Sequence, residues 1–564
     1  MQISDKQLVK LISELDYVSA DDLKKAQDNA TTSGISLYES LQRSELMTDE
    51  NLGKLIAYSY KLPFITLGQL NIPEEILKIT PKETAEKFRV ITFELKDGEL
   101  KIGTSEPDNQ TLFANLTKKA GAEKFRLYYV TEQDVSSTLR LYKEKMQSVF
   151  KDMLQQKGQG GDLPVAHIVE TIIEYAFTNQ ASDIHVEPTR EESYVRFRID
   201  GVLHDVVKLP RRLHDQVVTR IKVLARLRTD EHFSAQDGRT RVTVDEKDVD
   251  IRVSIVPVIG GEKAVLRLLA SHMRQFGLTD LGMQEADLKK VRDGFAKPYG
   301  MVLSTGPTGS GKTTSMYAIL KILNVREKNI ATIEDPVEYE LKGVNQIQAN
   351  PKANLSFANG LRSILRQDPD IIYVGEIRDE ETANIAINSA MTGHLVLSTM
   401  HTNDAATTLP RLIDMKIEPF LAATSVNVII AQRLVRKICD RCKASLELTR
   451  TKTGWSGDDV SAKQLAALDP ATVSRHFGAT GSVRVYRGKG CGACHETGYS
   501  GRVGVFEVLE VSPAIQKLIT DKASSEAITA AAVKEGMTTM MDDGMKKVRS
   551  GITTLEEILR ATRA

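Results

Sequence analysis

The sequence lacks an excess of charge, a long apolar run and more than a handful of cysteines. Lysine plus arginine and aspartate plus glutamate number 75 each. That balance removes the whole-chain electrostatic case for nucleic acid, although a basic face can exist inside a neutral total. No stretch approaches the roughly 20 apolar residues that cross a bilayer. The longest candidate, Phe420 to Ala431, is interrupted by Thr424, Ser425 and Asn427. Met1-Gln2-Ile3-Ser4-Asp5 has neither the basic start nor the apolar core of a secretory signal. The expectation is a cytosolic protein without direct membrane insertion. Its four cysteines, Cys439, Cys442, Cys491 and Cys494, form two C-x-x-C pairs with none left over. In a cytosolic chain that pattern reads as metal before disulfide.

At 564 residues the chain is too long for one core and suggests three or four domains. Residues 1–145 read as a separate α+β module. Helical periodicity runs through Leu8, Leu11 and Ile12, then Leu37, Leu41, Leu52, Leu55 and Ile56. After Pro63 the texture changes to short β-like runs at Arg89–Phe93, Leu100–Gly103 and Arg126–Val130. Residues 146–162 read as a linker, because Gln155–Asp162 is polar and Gly-rich. A second module, 163–270, opens with a helix at Ala166–Asn179 and continues in strands such as Tyr194–Ile199 and Val249–Val256. The third, 271–564, alternates apolar strands with helices, as a mostly parallel α/β sheet does. It contains the cysteine-bounded insert, 438–497, and ends in a helical tail.

Gly306-Pro307-Thr308-Gly309-Ser310-Gly311-Lys312-Thr313 fits G-x-x-x-x-G-K-[ST] at every position, with Thr314 next. An apolar strand, Met301–Leu303, precedes it and a helix-compatible stretch, Thr313–Leu323, follows. Glycines let backbone N–H groups close around phosphate oxygens, and the helix N-terminus adds partial positive charge. Lys312 is placed to reach the β and γ phosphates of ATP, and the Thr313 hydroxyl to meet Mg²⁺.

Two acidic elements follow. Ile330–Ile333 runs into Glu334-Asp335-Pro336-Val337-Glu338, and the strand Ile371–Val374 ends in Gly375-Glu376. Carboxylates at the carboxyl ends of neighbouring parallel strands face the same crevice as the phosphate loop. One can serve the magnesium shell while another orients the attacking water. Next, His394 and His401 flank a short apolar strand. A histidine there can sense the γ-phosphate through a hydrogen bond; the plainer explanation is one polar and one packed histidine.

The order Gly306–Thr314, Ile333–Glu338, Asp368–Asp379 and Thr392–Ala405 resembles the ATPases that drive type II secretion and type IV pilus assembly. Outside the nucleotide core, Ala181–Pro188, Gln236–Arg239, Arg252–Pro257, Gly261–Arg267, Gln432–Arg436 and Gly498–Glu507 are also similar to that family, so about residues 160–560 are covered. The resemblance implies a RecA-like P-loop ATPase domain preceded by a PAS-like α+β domain. It makes Glu338 the general base, Glu376 a support for Mg²⁺, and His394 and His401 the link between phosphate state and domain position. Arg239, Arg252 and Arg267 would approach the γ-phosphate and neutralise charge that develops in transfer, worth on the order of 10³-fold in rate. Ala235 stands where the family has proline. The first 145 residues are similar in layout to the family's N-terminal domain, which in some members binds cyclic di-GMP. Those members carry Arg-Leu-Gly and a later glycine; here Thr32–Leu37 and Glu45 stand instead, so cyclic di-GMP binding is not expected.

Four thiolates in paired C-x-x-C turns suit a closed Zn²⁺ site. The family's assembly members share this module, which implies a structural zinc with no catalytic part. The resemblance further implies a homo-hexameric ring. It would lie at the cytoplasmic face of the inner membrane, held through a platform protein and the cytoplasmic components of an assembly complex. Type IV pilus assembly is the expected task and type II secretion the alternative. A nucleic-acid translocase fits less well, and no nucleic-acid partner is expected.

Overall fold

Where the apolar period is two, strands form, and where it is near four, helices form. The computed structural model describes residues 5–14, 18–33, 36–43, 46–47, 49–70, 72–139, 165–244, 247–269, 277–451, 454–456, 463, 465, 468, 470–477, 482–491 and 494–562. The expected linker 146–162, the Gly34–Ile35 pair and Glu45 lie outside them. The chain divides into two compact units, one of residues 1–275 with 440–442 and 490–496, the other of 276–439, 443–489 and 497–564.

In the first unit, helices Asp5–Glu14, Ala20–Ser33, Leu37–Arg43 and Asp49–Ser59 bury the predicted Leu8, Ile12, Leu37, Leu41, Leu52, Leu55 and Ile56 in one cluster. The three β-like runs that follow become β1 (Val90–Lys96), β2 (Glu99–Thr104) and β3 (Lys124–Tyr129), hydrogen-bonded in that order. A six-stranded antiparallel sheet comes next: β4 (Asp183–Pro188), β5 (Glu192–Ile199), β6 (Val202–Pro210), β7 (Gln236–Val244), β8 (Lys247–Val258) and β9 (Gly261–Leu269), in the order β6-β5-β4-β9-β8-β7. Helices Val165–Thr178 and Arg211–Leu224 share one apolar cluster with alternate residues of the strands, among them Val195, Phe197, Ile251 and Val253. The intervening positions, which include Arg252, point to the opposite face.

The second unit is built on a seven-stranded sheet in the order β12-β11-β13-β14-β10-β15-β19. Its strands are β10 (Gly300–Thr305), β11 (Ile330–Glu334), β12 (Asn345–Gln348), β13 (Ile371–Val374), β14 (Leu395–Met400), β15 (Val426–Ile438) and β19 (Tyr499–Glu510). All neighbours pair parallel except β15 with β19. Every residue of β10, β11, β13 and β14 is buried. This is the continuous apolar texture of parallel strands covered on both faces. Successive residues divide between two cores, Met301 and Leu303 in one and Val302 in the other. The apolar run from Phe420 is split: helix Pro419–Ser425 ends as β15 begins, and Asn427 Nδ2 donates to Gly294 O and Tyr299 O. Among the described residues no helix is long and apolar enough to cross a membrane.

A small sheet of β16 (Lys443–Thr451), β17 (Gly454–Ser456) and β18 (Ser482–Gly488) lies between the cysteine pairs in sequence. Its register opposes Lys443, next to Cys442, to Gly488, three residues before Cys491. Antiparallel pairing therefore brings the ends of the insert together, whatever its length.

Candidate functional site

β10 is flanked by β14 on one side and β15 on the other. Its carboxyl end is thus a point where connections leave in different directions, the crevice where parallel α/β sheets bind ligands. The chain leaves β10 at Thr305, passes through Gly306–Gly311 and enters helix Lys312–Leu323. Gly306 has φ +145° and lies against β15: a Cβ there would come within 2.5 Å of Gln432 O. The Gln432 side chain holds the loop from below. Its Nε2 donates to Ser310 O at 2.7 Å, and its Oε1 accepts from Ser315 Oγ at 2.6 Å. Lys312 turns back into the loop, donating to Gly306 O at 2.8 Å and Pro307 O at 3.1 Å. Burial lowers its pKa to about 8; Glu376 opposes that shift and Arg433 adds to it. Thr313 lies close to Tyr373, a buried residue of β13.

The two glutamates of the acidic box have different surroundings. Glu334, at the end of β11, is buried and accepts from Tyr317, from Thr332 Oγ1 at 2.6 Å and from Gln346 Nε2 at 3.3 Å. Burial raises its pKa. Its oxygens are committed to the protein interior. Glu338 follows the cis Asp335–Pro336 bond and is half-buried.

Glu376 stands just past β13, buried, with Arg378 at 2.6 Å on one oxygen and His401 Nε2 at 3.4 Å on the other. Thr399 Oγ1 donates to Gly375 O at 2.7 Å and fixes the approach of that turn to β14. His401 follows β14, and burial followed by the nearby Lys312 charge lowers its pKa. Lys312, Glu376 and His401 therefore meet at the carboxyl ends of β10, β13 and β14.

His394 is elsewhere. It precedes β14, and its carbonyl accepts from the N–H of Gly300, the first residue of β10. The six residues of β14 separate it from His401, roughly 20 Å at about 3.3 Å per residue. The two histidines flank β14 as the sequence has them, and His401 is the one at the phosphate end.

Arg239, Arg252 and Arg267 belong to the first unit and form one row across its sheet. Arg239 pairs with Arg252 across β7 and β8, and Arg252 with Arg267 across β8 and β9. The row continues to Asp183 on β4, a buried carboxylate 3.0 Å from Arg267 Nε. Like charges directly opposite one another destabilise a sheet. Three arginines thus follow one another across β7, β8 and β9.

The four cysteine sulfurs lie within 4.8 Å of one another. Cys442 and Cys494 are 3.8 Å apart, and Cys491 and Cys494 3.7 Å. A tetrahedral zinc with Zn–S of about 2.3 Å has sulfur–sulfur edges of about 3.8 Å, so the set fits Zn²⁺. The chain entering the second pair and the chain leaving it run in close contact: a Cβ on Gly488 would sit 2.0 Å from Gly498 O. Gly492 lies outside the described residues.

Gln432 and Arg433 have places here that their stretch did not reveal. The available signal is a Gln-Arg pair directly after the apolar run Val428–Ala431.

The sequence profile of the type II/IV secretion system proteins matches residues 158–560, and that of the MshEN domain residues 60–149. The chain belongs to the type II/IV secretion system protein family. It is similar to the type IV pilus assembly ATPase PilB of Myxococcus xanthus, 36% identical over 577 residues that cover 98% of each chain. Type II secretion system protein E of Pseudomonas aeruginosa is 44% identical over 413 residues, covering 73% of this chain and 78% of that one. Among solved structures, the Legionella pneumophila ATPase DotB matches with a TM-score of 0.51 at 20% identity, covering 70% of this chain and 96% of that one. At that identity the likeness is one of fold.

Proposed function

We propose that this chain is a motor that hydrolyses ATP to drive type IV pilus assembly, working as a ring on an inner-membrane platform protein. The observation that carries the reading is the convergence of Lys312, Glu376 and His401 at one end of a parallel sheet. The match to the pilus assembly ATPase along 98% of both chains supports the task.

Backbone N–H groups of Thr308–Thr314 and the ammonium of Lys312 bind the phosphates. The Thr313 hydroxyl and the Glu376 carboxylate are hard oxygen donors suited to Mg²⁺, which when bound withdraws charge from the phosphates. Glu338 accepts the proton of the attacking water; Glu334, already committed to three donors, does not. As the γ-phosphorus passes from the ADP oxygen to the water oxygen, Arg239, Arg252 and Arg267 offset the charge that spreads over it. His401, in contact with Glu376, registers the loss of the phosphate. His394 acts on domain position from the other end of β14. Zinc, when bound to Cys439, Cys442, Cys491 and Cys494, staples the insert and takes no part in hydrolysis.

Type II secretion is the second reading, favoured by the 44% identity of the motor region to a type II secretion protein. Deleting the gene in its source organism and restoring it as wild type or Lys312→Ala decides between them. Loss of surface pili with secretion intact supports pilus assembly, and the converse supports secretion. Purified Lys312→Ala retaining normal phosphate release would refute the site assignment.

A further inference from the structure

Beside the phosphate loop lies a buried cation with no assigned role. Arg433 is only 8% exposed, although a guanidinium carries five N–H donors. Among the described residues its one hydrogen bond is a long one, 3.4 Å from a terminal nitrogen to Asn403 Oδ1, and its buried Nε meets no acceptor. The Asp404 carboxylate attracts it from nearby but also caps the N–H of Thr407 at 2.7 Å.

Its position is set by strand pairing. Ala431 on β15 opposes Thr305 on β10, so Gln432 and Arg433 lie alongside the first residues of the loop. Side chains alternate along a strand. Gln432 accordingly turns under the loop to Ser310 and Ser315, and Arg433 turns the other way, towards Asn403. Asn403 belongs to the segment that begins with His401, the partner of Glu376. Arg433 is also close enough to Lys312 for its charge to disfavour the lysine's. Two buried cations that repel each other, one with unused donors, are stabilised by an anion with several oxygens.

We infer that Arg433 is a second cation of the phosphate site within the same chain, and that it binds the terminal phosphate of the nucleoside triphosphate. The inference rests on the reading of Gly306–Thr314 as the ATP site. Arg433 selects triphosphate over diphosphate because it lies on the His401 side of the loop, where the transferred group leaves. Releasing that phosphate frees the guanidinium to return to Asn403.

The test is calorimetric titration of the full chain with ADP and with β,γ-imido-ATP, each with Mg²⁺. Arg433→Gln is expected to weaken the triphosphate analogue by about 10- to 100-fold, the range of one charge-assisted hydrogen bond. ADP affinity is expected to stay within about twofold. Arg433→Lys, which keeps the charge but loses the planar fork, falls between and serves should Arg433→Gln not fold. Equal losses for both nucleotides, or none for either, overturn the proposal and leave Arg433 as a latch for the Asn403 loop. Lys312→Ala in the same assay separates the two levels. If it binds both nucleotides as the wild type does, the site assignment itself has failed; if it binds neither, only the role of Arg433 is in question.

Discussion

Arg239 stands directly opposite Arg252 on neighbouring antiparallel strands. Arg252 stands in turn opposite Arg267, so charge of one sign runs across three strands before Asp183 interrupts it. A fold selected for stability alone would alternate the signs. Replacing exposed Arg239 with glutamine should therefore move stability and activity in opposite directions. The unfolding free energy is expected to rise by up to about 1 kcal/mol, since a repulsive cross-strand pair is removed. The turnover number is expected to fall by roughly 10³-fold, the scale of an arginine that stabilises phosphoryl transfer. Denaturant melts and steady-state phosphate release on one preparation check both. A fall in stability with unchanged turnover would make the row structural.

Gln432 supports a second prediction. It satisfies the Ser310 carbonyl and the Ser315 hydroxyl at once. Gln432→Ala leaves both buried groups without that partner, at about 1–3 kcal/mol each where water does not replace it. The loop geometry should loosen before the sheet does. ADP and ATP affinities are expected to fall together, by about tenfold or more, while the far-ultraviolet dichroism spectrum stays that of the wild type. The parallel loss distinguishes Gln432, which shapes the loop, from Arg433, which discriminates the terminal phosphate.

Much of this site was legible in the sequence because its chemistry is local. The phosphate loop needs glycines, a lysine and a hydroxyl within nine positions, and the flanking strand and helix announce themselves by period. The strand Ile371–Val374 agrees with its predicted limits for the same reason. Gln432 was not assignable because its partner Ser310 is 122 residues away, and only the pairing of β15 beside β10 joins them. The separation of His394 from His401 follows from strand direction. The apolar strand between them is visible in the sequence; which of its ends faces the phosphate loop is set by its parallel pairing with β10. Glu334 and Glu338 are indistinguishable as letters; Tyr317, Thr332 and Gln346 separate them.

The cysteine cluster yields a prediction independent of nucleotide. One zinc per chain is expected by elemental analysis, held by the four sulfurs within 4.8 Å. Cys491→Ser should abolish stoichiometric metal and lower the thermal midpoint, since structural zinc contributes binding free energy directly to the folded state. ADP affinity should be unchanged, because the loop holds Lys312 through its own carbonyls, Gly306 O and Pro307 O. Loss of ADP binding on metal removal would instead give the metal a part in the nucleotide site.

The depressed pKa of Lys312 makes nucleotide binding pH-dependent with a definite sign. Burial favours the neutral amine, and the group titrates near pH 8 rather than at its usual 10.5. Phosphate binds the charged form, and its negative charge raises the lysine's pKa in the complex. Below about pH 8 the lysine is already protonated, and affinity should be nearly flat. Above that, each nucleotide bound must also take up a proton, so affinity should fall with rising pH, by up to tenfold per unit. For the nucleotide-free protein the sign is opposite. Between about pH 8 and 10.5 the unfolded chain holds more protons at this position than the folded one, so Lys312's contribution to stability improves as pH rises through that window. Titration of ADP at pH 9 in two buffers of different ionisation enthalpy reads the proton directly. An uptake approaching one proton per nucleotide is expected. An uptake near zero would mean that Lys312 keeps its charge throughout, and that its turn onto Gly306 O and Pro307 O compensates for its burial.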